Sequence, residues 1–172
     1  QFKRAEDIVA DLVDIVSKNG CLMLNVGPRP NGVICDEEAA VLRSVGAWLK
    51  VNGEGIYGTR AWKVYGEGPT AIPEGQFTDT GRAPFTPKDI RYTCKGGYLY
   101  AFILNASGGI DGAALKALAG GAVPGEAVLV ERAELFGSDM PVAFRQTKEA
   151  LELSFAEKIA SDYPLCVRLT LK

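Results

Sequence analysis

The chain carries 21 aspartates and glutamates, 19 lysines and arginines and no histidine. That inventory removes Ser-His-Asp and Cys-His chemistry and leaves carboxylates as the ordinary acid and base groups. Three carboxylates stand where such chemistry would be sought: Glu54 in "NGEG", Glu67 in "YGEG" and Asp89 in "PKDIR". Acid–base catalysis needs two groups within reach of one reacting atom, and spacing places no second carboxyl beside any of the three. They read as structural. Glu54, just past a helix end, is expected to pair with Arg60, and Asp89, between Lys88 and Arg91, is expected in a strand-edge charge cluster. No catalytic residue is assigned. The four cysteines, Cys21, Cys35, Cys94 and Cys166, are widely scattered with no CxxC pair, so neither a metal site nor a cofactor is expected. They read as small strand hydrophobes rather than a disulfide framework.

One stretch stands apart. "LMLNVGPRPNG" (22–32) is an apolar run that stops on Asn25 and breaks into a loop stiffened by Pro28 and Pro30, with Arg29 between them. Before it, Ile8, Val9, Leu12, Val13, Ile15 and Val16 mark one helical face from Ala5 to Ser17, and "KNG" (18–20) supplies the stop. After it, Asp36, Glu37 and Glu38 suit a helix start, and Val41, Leu42, Val45, Trp48 and Leu49 carry a face to "NG" at 52–53. Between these helices, "CLMLNV" (21–26) lacks polar alternation, as expected of a strand covered on both faces in a parallel sheet.

From about Trp62 the period becomes two. "IRYTC" (90–94) and "YLYAFIL" (98–104) flank a "KGG" turn and predict a hairpin, with Tyr98, Tyr100, Phe102 and Leu104 on one side. Further strands are expected in "ALKALA" (114–119), "AVLVERAELF" (127–136), "VAFRQT" (142–147), "ALELSF" (150–155) and "LCVRLTL" (165–171). The glycine pairs at 96, 108 and 120 read as turns, and "SGGIDG" (107–112) lacks the pattern of a phosphate-binding loop. Many short strands at this spacing indicate an antiparallel sandwich.

A buried parallel strand needs neighbours, and nothing else in the chain reads as one. Helix, strand and helix followed by an all-β region is what remains when an α/β barrel is cut before its last turn and keeps its appendage. The predicted fold is therefore an α/β remnant, the last helix-strand-helix of a (β/α)8-like barrel over residues 1–62, followed by an antiparallel β-sandwich over 63–172. The start at Gln1, without methionine, reads as processing or truncation.

"DLVDIVSKNGCLMLNVGPRPNGVI" (11–34) and "LRSVGAWLKVNGEGIYGTRAW" (42–62) resemble the end of the catalytic domain in family 29 glycoside hydrolases, the α-L-fucosidases. "VYGEGPT" (64–70), "FTPKDIRYTCKGGYLYAFIL" (85–104) and "AELFGS" (133–138) are similar to the β-sandwich that follows it. Cys21 departs from the asparagine usual in the family at that place. The resemblance implies a retaining hydrolase of terminal α-L-fucose whose nucleophile and acid/base carboxyls lie upstream of Gln1, leaving this chain inactive alone. It implies a periplasmic, secreted or lysosomal parent and a fucosylated glycan as substrate. In a barrel the strand's C-terminal end faces the substrate, so Asn25 and Arg29 become pocket-rim candidates, against a plain loop cap and a solvated loop arginine.

The aromatics invite a sugar-stacking reading. Trp48 nevertheless sits on the helix's apolar face, Tyr57 and Trp62 fall where sandwich would meet barrel, and Tyr98 and Tyr100 suit a strand core. "NAS" (105–107) is a glycosylation acceptor pattern. A net charge of −2 with interleaved signs implies neither nucleic acid nor a membrane surface, and the longest apolar runs are far too short to cross a bilayer. The expected partners are the missing barrel portion or a second copy pairing along 21–26. Two other readings stay open, a free-standing carbohydrate-binding sandwich module and a non-catalytic interaction subunit.

Overall fold

The computed structural model describes residues 3–72, 83–120 and 128–172. Two helices come first, α1 (Ala5–Ser17) and α2 (Asp36–Asn52). The first ends where Asn19 takes a positive φ of 63° and the Gly20 amide folds back onto the Ile15 carbonyl. The second begins on three acids, favourable against the helix dipole, and runs into a single 3-10 turn, Gly53–Gly55.

Eight antiparallel strands follow among the described residues: β1 (Arg60–Glu67), β2 (Ile90–Lys95), β3 (Tyr98–Ile103), β4 (Ala106–Leu115), β5 (Val130–Leu135), β6 (Val142–Gln146), β7 (Leu151–Ser161) and β8 (Leu165–Leu171). They form a five-stranded sheet, β1-β2-β3-β8-β5, and a three-stranded sheet, β4-β7-β6. The hairpin predicted at "KGG" closes with Lys95 opposite Tyr98, and Gly96 and Gly97 both hold positive φ as a two-residue hairpin turn requires.

The five-stranded sheet is covered on both faces. Along β3, Leu99, Ala101 and Ile103 point into a core shared with Leu115, Leu151 and Leu153 of the smaller sheet. Tyr100, Phe102 and the following Leu104 point the other way, against Val9 and Val13 of α1 and Trp48 of α2. Alternation on this strand therefore sorts residues between two cores, which is why only Tyr98 of its aromatics is exposed.

The structure amends several expectations. β1 and β4 were not anticipated. The glycines of β4 hid it, because Gly109 at φ 74° and two register breaks make it a bulged strand rather than a turn. In "ALKALA" only Ala114 and Leu115 are strand. Lys116–Leu118 turns into a 3-10 helix because both Lys116 and Ala117 donate their backbone N–H to the Glu67 carboxylate, at 3.0 and 3.1 Å. The strand expected over 127–136 starts at Val130, with residue 127 outside the described residues, as is one glycine of the pair at 120. Residues 21–26 form no ladder among the described residues, and Leu22, Met23 and Leu24 are exposed, Met23 by 82%. The physical reason is the one that made the segment odd: no parallel neighbour is present to accept its hydrogen bonds.

The seam between helices and sheet holds a buried ion pair. Arg91 of β2 donates from Nε to Asp14 Oδ1 of α1 at 2.5 Å, with side-chain exposures of 4% and 11%. Asp14→Ala strands the guanidinium and is expected to lower the unfolding free energy by about 3–5 kcal/mol. The double substitution Asp14→Leu with Arg91→Met should lose far less, as read by urea denaturation.

Candidate functional site

The stretch 22–32 lies in the loop between α1 and α2. Its second half is a tight turn in which the Arg29 N–H donates to the Val33 carbonyl at 2.9 Å and Gly32, at φ 80°, donates to the Arg29 carbonyl at 2.8 Å. The first half is tied to α2, since the Gly27 N–H donates to Glu38 Oε1 at 3.2 Å and the Cys35 thiol to Glu38 Oε2 at 3.4 Å. Asn25 lines a groove of about 130 Å³ with Leu24, Glu38, Val41, Leu42 and Lys3. Arg29 stands at the turn, away from that groove. The structure thus separates the two rim candidates. Lys3 and Glu38, which sequence reasoning passed over, join Asn25 instead, and their only signal was position at the start of each helix.

The three carboxylates have partners that spacing did not reveal. Asp89 is fully buried and accepts from the N–H and hydroxyl of both Thr70 and Thr86, at 2.6 to 3.0 Å. It is a buried loop tie, not a strand-edge charge. Burial alone would raise its pKa, but the hydrogen bonds from Thr86 and Thr70 outweigh it and hold the carboxyl below its ordinary value. Glu67 accepts from the Tyr92 hydroxyl at 2.5 Å as well as from Lys116 and Ala117.

Glu54 does not pair with Arg60. It accepts from Arg168 Nη1 and from the Tyr100 hydroxyl, both at 2.9 Å, while Glu134 takes the other side of the same guanidinium at 2.9 Å. Arg168 is further held by the rings of Tyr98 and Phe136, 5.0 and 5.5 Å away. Burial would raise the Glu54 pKa, yet Arg168 and Tyr100 hold it below normal. A general acid needs the opposite shift, so this carboxylate is suited to bracing rather than proton donation. Arg168 was legible only as a cation in the middle of an alternating strand.

Trp48, read as core, is buried and donates from its indole N–H to the Pro164 carbonyl at 2.9 Å. Trp62 packs edge-on against Tyr92, whereas Tyr57 is 61% exposed. Asn105 of "NAS" donates from Nδ2 to the Phe85 carbonyl at 2.7 Å and accepts from the Ser107 N–H and hydroxyl. All four cysteines are free thiols, Cys94 and Cys166 in strands, Cys21 and Cys35 in the α1–α2 loop.

Two helices laid on a two-sheet sandwich, joined by a loop that carries Asn25, are the architecture to set beside known proteins. Residues 1–54 match the family model described as alpha-L-fucosidase. Human plasma alpha-L-fucosidase is 41% identical over 73 residues, 42% of this chain and 15% of that protein. Alpha-L-fucosidase isoenzyme 1 from Paenibacillus thiaminolyticus superposes with a TM-score of 0.70 at 29% identity, covering 99% of this chain and 35% of that one. A Thermotoga maritima alpha-L-fucosynthase, solved in complex with alpha-L-Fuc-(1-2)-beta-L-Fuc-N3, gives a TM-score of 0.67 at 25% identity over 98% of this chain and 34% of its own. The chain is thus similar to the C-terminal portion of α-L-fucosidases. It spans about a third of the solved relatives' length.

Because the Asp89 pKa is lowered on folding, its stabilisation is full above the unfolded carboxylate pKa of about 4 and is lost as the pH falls below it. Urea midpoints should be level from pH 7 to about 5 and drop towards pH 3. Asp89→Asn, which sets an amide N–H₂ against the backbone N–H of either Thr70 or Thr86, should lower stability at pH 7 by about 2–3 kcal/mol and flatten that acid limb.

Proposed function

We propose that this chain is the carboxy-terminal part of a retaining α-L-fucosidase, which hydrolyses terminal α-L-fucose from glycans. In this reading residues 1–62 close the catalytic barrel and residues 63–172 form the sandwich that braces it. The nucleophile and the acid/base carboxyl, which retention requires to lie roughly 5–5.5 Å apart, belong to the part of the enzyme before Gln1. Asn25 and Arg29 belong to the rim of the substrate pocket.

The observation that carries this reading is the match of 99% of the chain to about a third of an α-L-fucosidase structure. The chemistry present agrees with a bracing role. Each carboxylate singled out by sequence is hydrogen-bonded by neighbours, and Glu54 and Asp89 are held below their ordinary values, the opposite of a glycosidase acid. The exposed Leu22, Met23 and Leu24 are apolar side chains with the length and sequence of a stave, and burial between neighbouring strands of the missing barrel portion gives them a role.

The test is fluorimetric release of 4-methylumbelliferone from its α-L-fucoside. The full-length enzyme that contains this chain is expected to turn over, and the 172-residue chain alone to release nothing above buffer. Fucose release by the isolated chain would overturn the assignment of the carboxyls to the upstream part. Saturable binding of fucosylated oligosaccharides by the isolated chain, without release, would favour a glycan-binding module instead.

A further inference from the structure

A cavity of about 360 Å³ lies where the first turn of α1 meets the β3–β4 corner and the β7–β8 turn. Its polar wall comes from Lys3, Arg4, Asp7, Asn105, Ser107 and Asp162, and its apolar floor from Phe85 and Leu104. Lys3 also lines the Asn25 groove, so the two depressions adjoin along one edge of the molecule. That edge carries the starts of both helices and the end of segment 21–26, the level at which a barrel presents its substrate-facing loops.

We propose that this cavity binds the sugar units that carry the fucose, so that the sandwich supplies part of the glycan-recognition surface. The inference rests on the fucosidase reading and names the part of the substrate this chain holds.

The chemistry of the wall selects the ligand class. Two cations face three carboxylates, Glu6 included, which disfavours both an anion and a cation. Asn105 and Ser107 add groups that both donate and accept, the demand made by hydroxyls of a neutral saccharide. The polar groups are held by one another: Arg4 donates to both Asp7 oxygens at 3.0 and 3.1 Å, and Asn105 bridges Phe85 and Ser107. Those internal hydrogen bonds preorganise part of the wall, which lowers the entropic cost of binding. The volume falls in the roughly 300–1,000 Å³ range of small-ligand sites.

The experiment uses the full-length enzyme and two substrates, 4-nitrophenyl α-L-fucoside and a fucosylated tetrasaccharide. Ser107→Trp fills the cavity and Asp162→Ala removes an acceptor from its wall. Each should lower the ratio of kcat/KM for the tetrasaccharide to that for the aryl fucoside by about fivefold or more, the loss of one good hydrogen bond or its steric equivalent. An unchanged ratio in both variants overturns the inference while the fucosidase reading stands. No aryl-fucoside turnover by the unsubstituted enzyme takes down the fucosidase reading, and this inference with it.

Discussion

The pairing of Asp14 with Arg91 constrains more of this molecule than any other contact. A guanidinium buried beneath a helix is tolerated only when a carboxylate meets it, and Arg91 Nη1 donates to the carbonyls of Ile90 and Glu67 between the rings of Tyr65 and Phe85. With Asp14 committed to that spot, α1 has one rotation about its axis. The same rotation drives Val9 and Val13 onto the outer face of the sheet, over Tyr100 and Phe102. The helix that resembles the barrel is thereby fixed to the sandwich and not merely tethered to it.

α2 is fixed by different means. Its indole N–H reaches Pro164 before β8, and the 3-10 turn after it plugs the sheet surface, where the Gly55 carbonyl accepts from the Thr93 hydroxyl at 2.7 Å. A Cβ on Gly55 would lie 2.8 Å from Phe102 and 3.2 Å from the Cys166 sulfur, so only glycine fits the approach. Glu54 beside it clamps Arg168. "VNGEGIYGTR" is therefore a docking segment, and its acid serves the dock.

Much of this was legible. Both helices were readable to their ends because an apolar face, acids at one start and "KNG" or "NG" stops agree at every level. The β2–β3 hairpin and β8 were readable from alternation and a glycine turn. β4 was hidden because its glycines allow a bulge and let Gly112 approach the Leu153 backbone, a requirement that no local pattern expresses. The pairings of Glu54 and Asp89 were illegible for a related reason. Arg168 lies 114 residues from Glu54, and Thr70 lies 19 from Asp89, so only the Thr86 bonds of Asp89 are local. Asp14, inside "LVDIV", went unread for the same reason, since its cation Arg91 lies 77 residues on.

The shared core of helices and five-stranded sheet carries a lesson for recombining such chains. A chimera joined between α2 and β1 would place foreign helices over Tyr100, Phe102 and Cys166, whose shape is matched to Gly55 and Trp48. Modular exchange of the sandwich must instead carry α1 and α2 along as its lid, with the crossover placed before Ala5. The unit that evolution or an engineer can move intact is thus larger than the all-β part that the eye picks out.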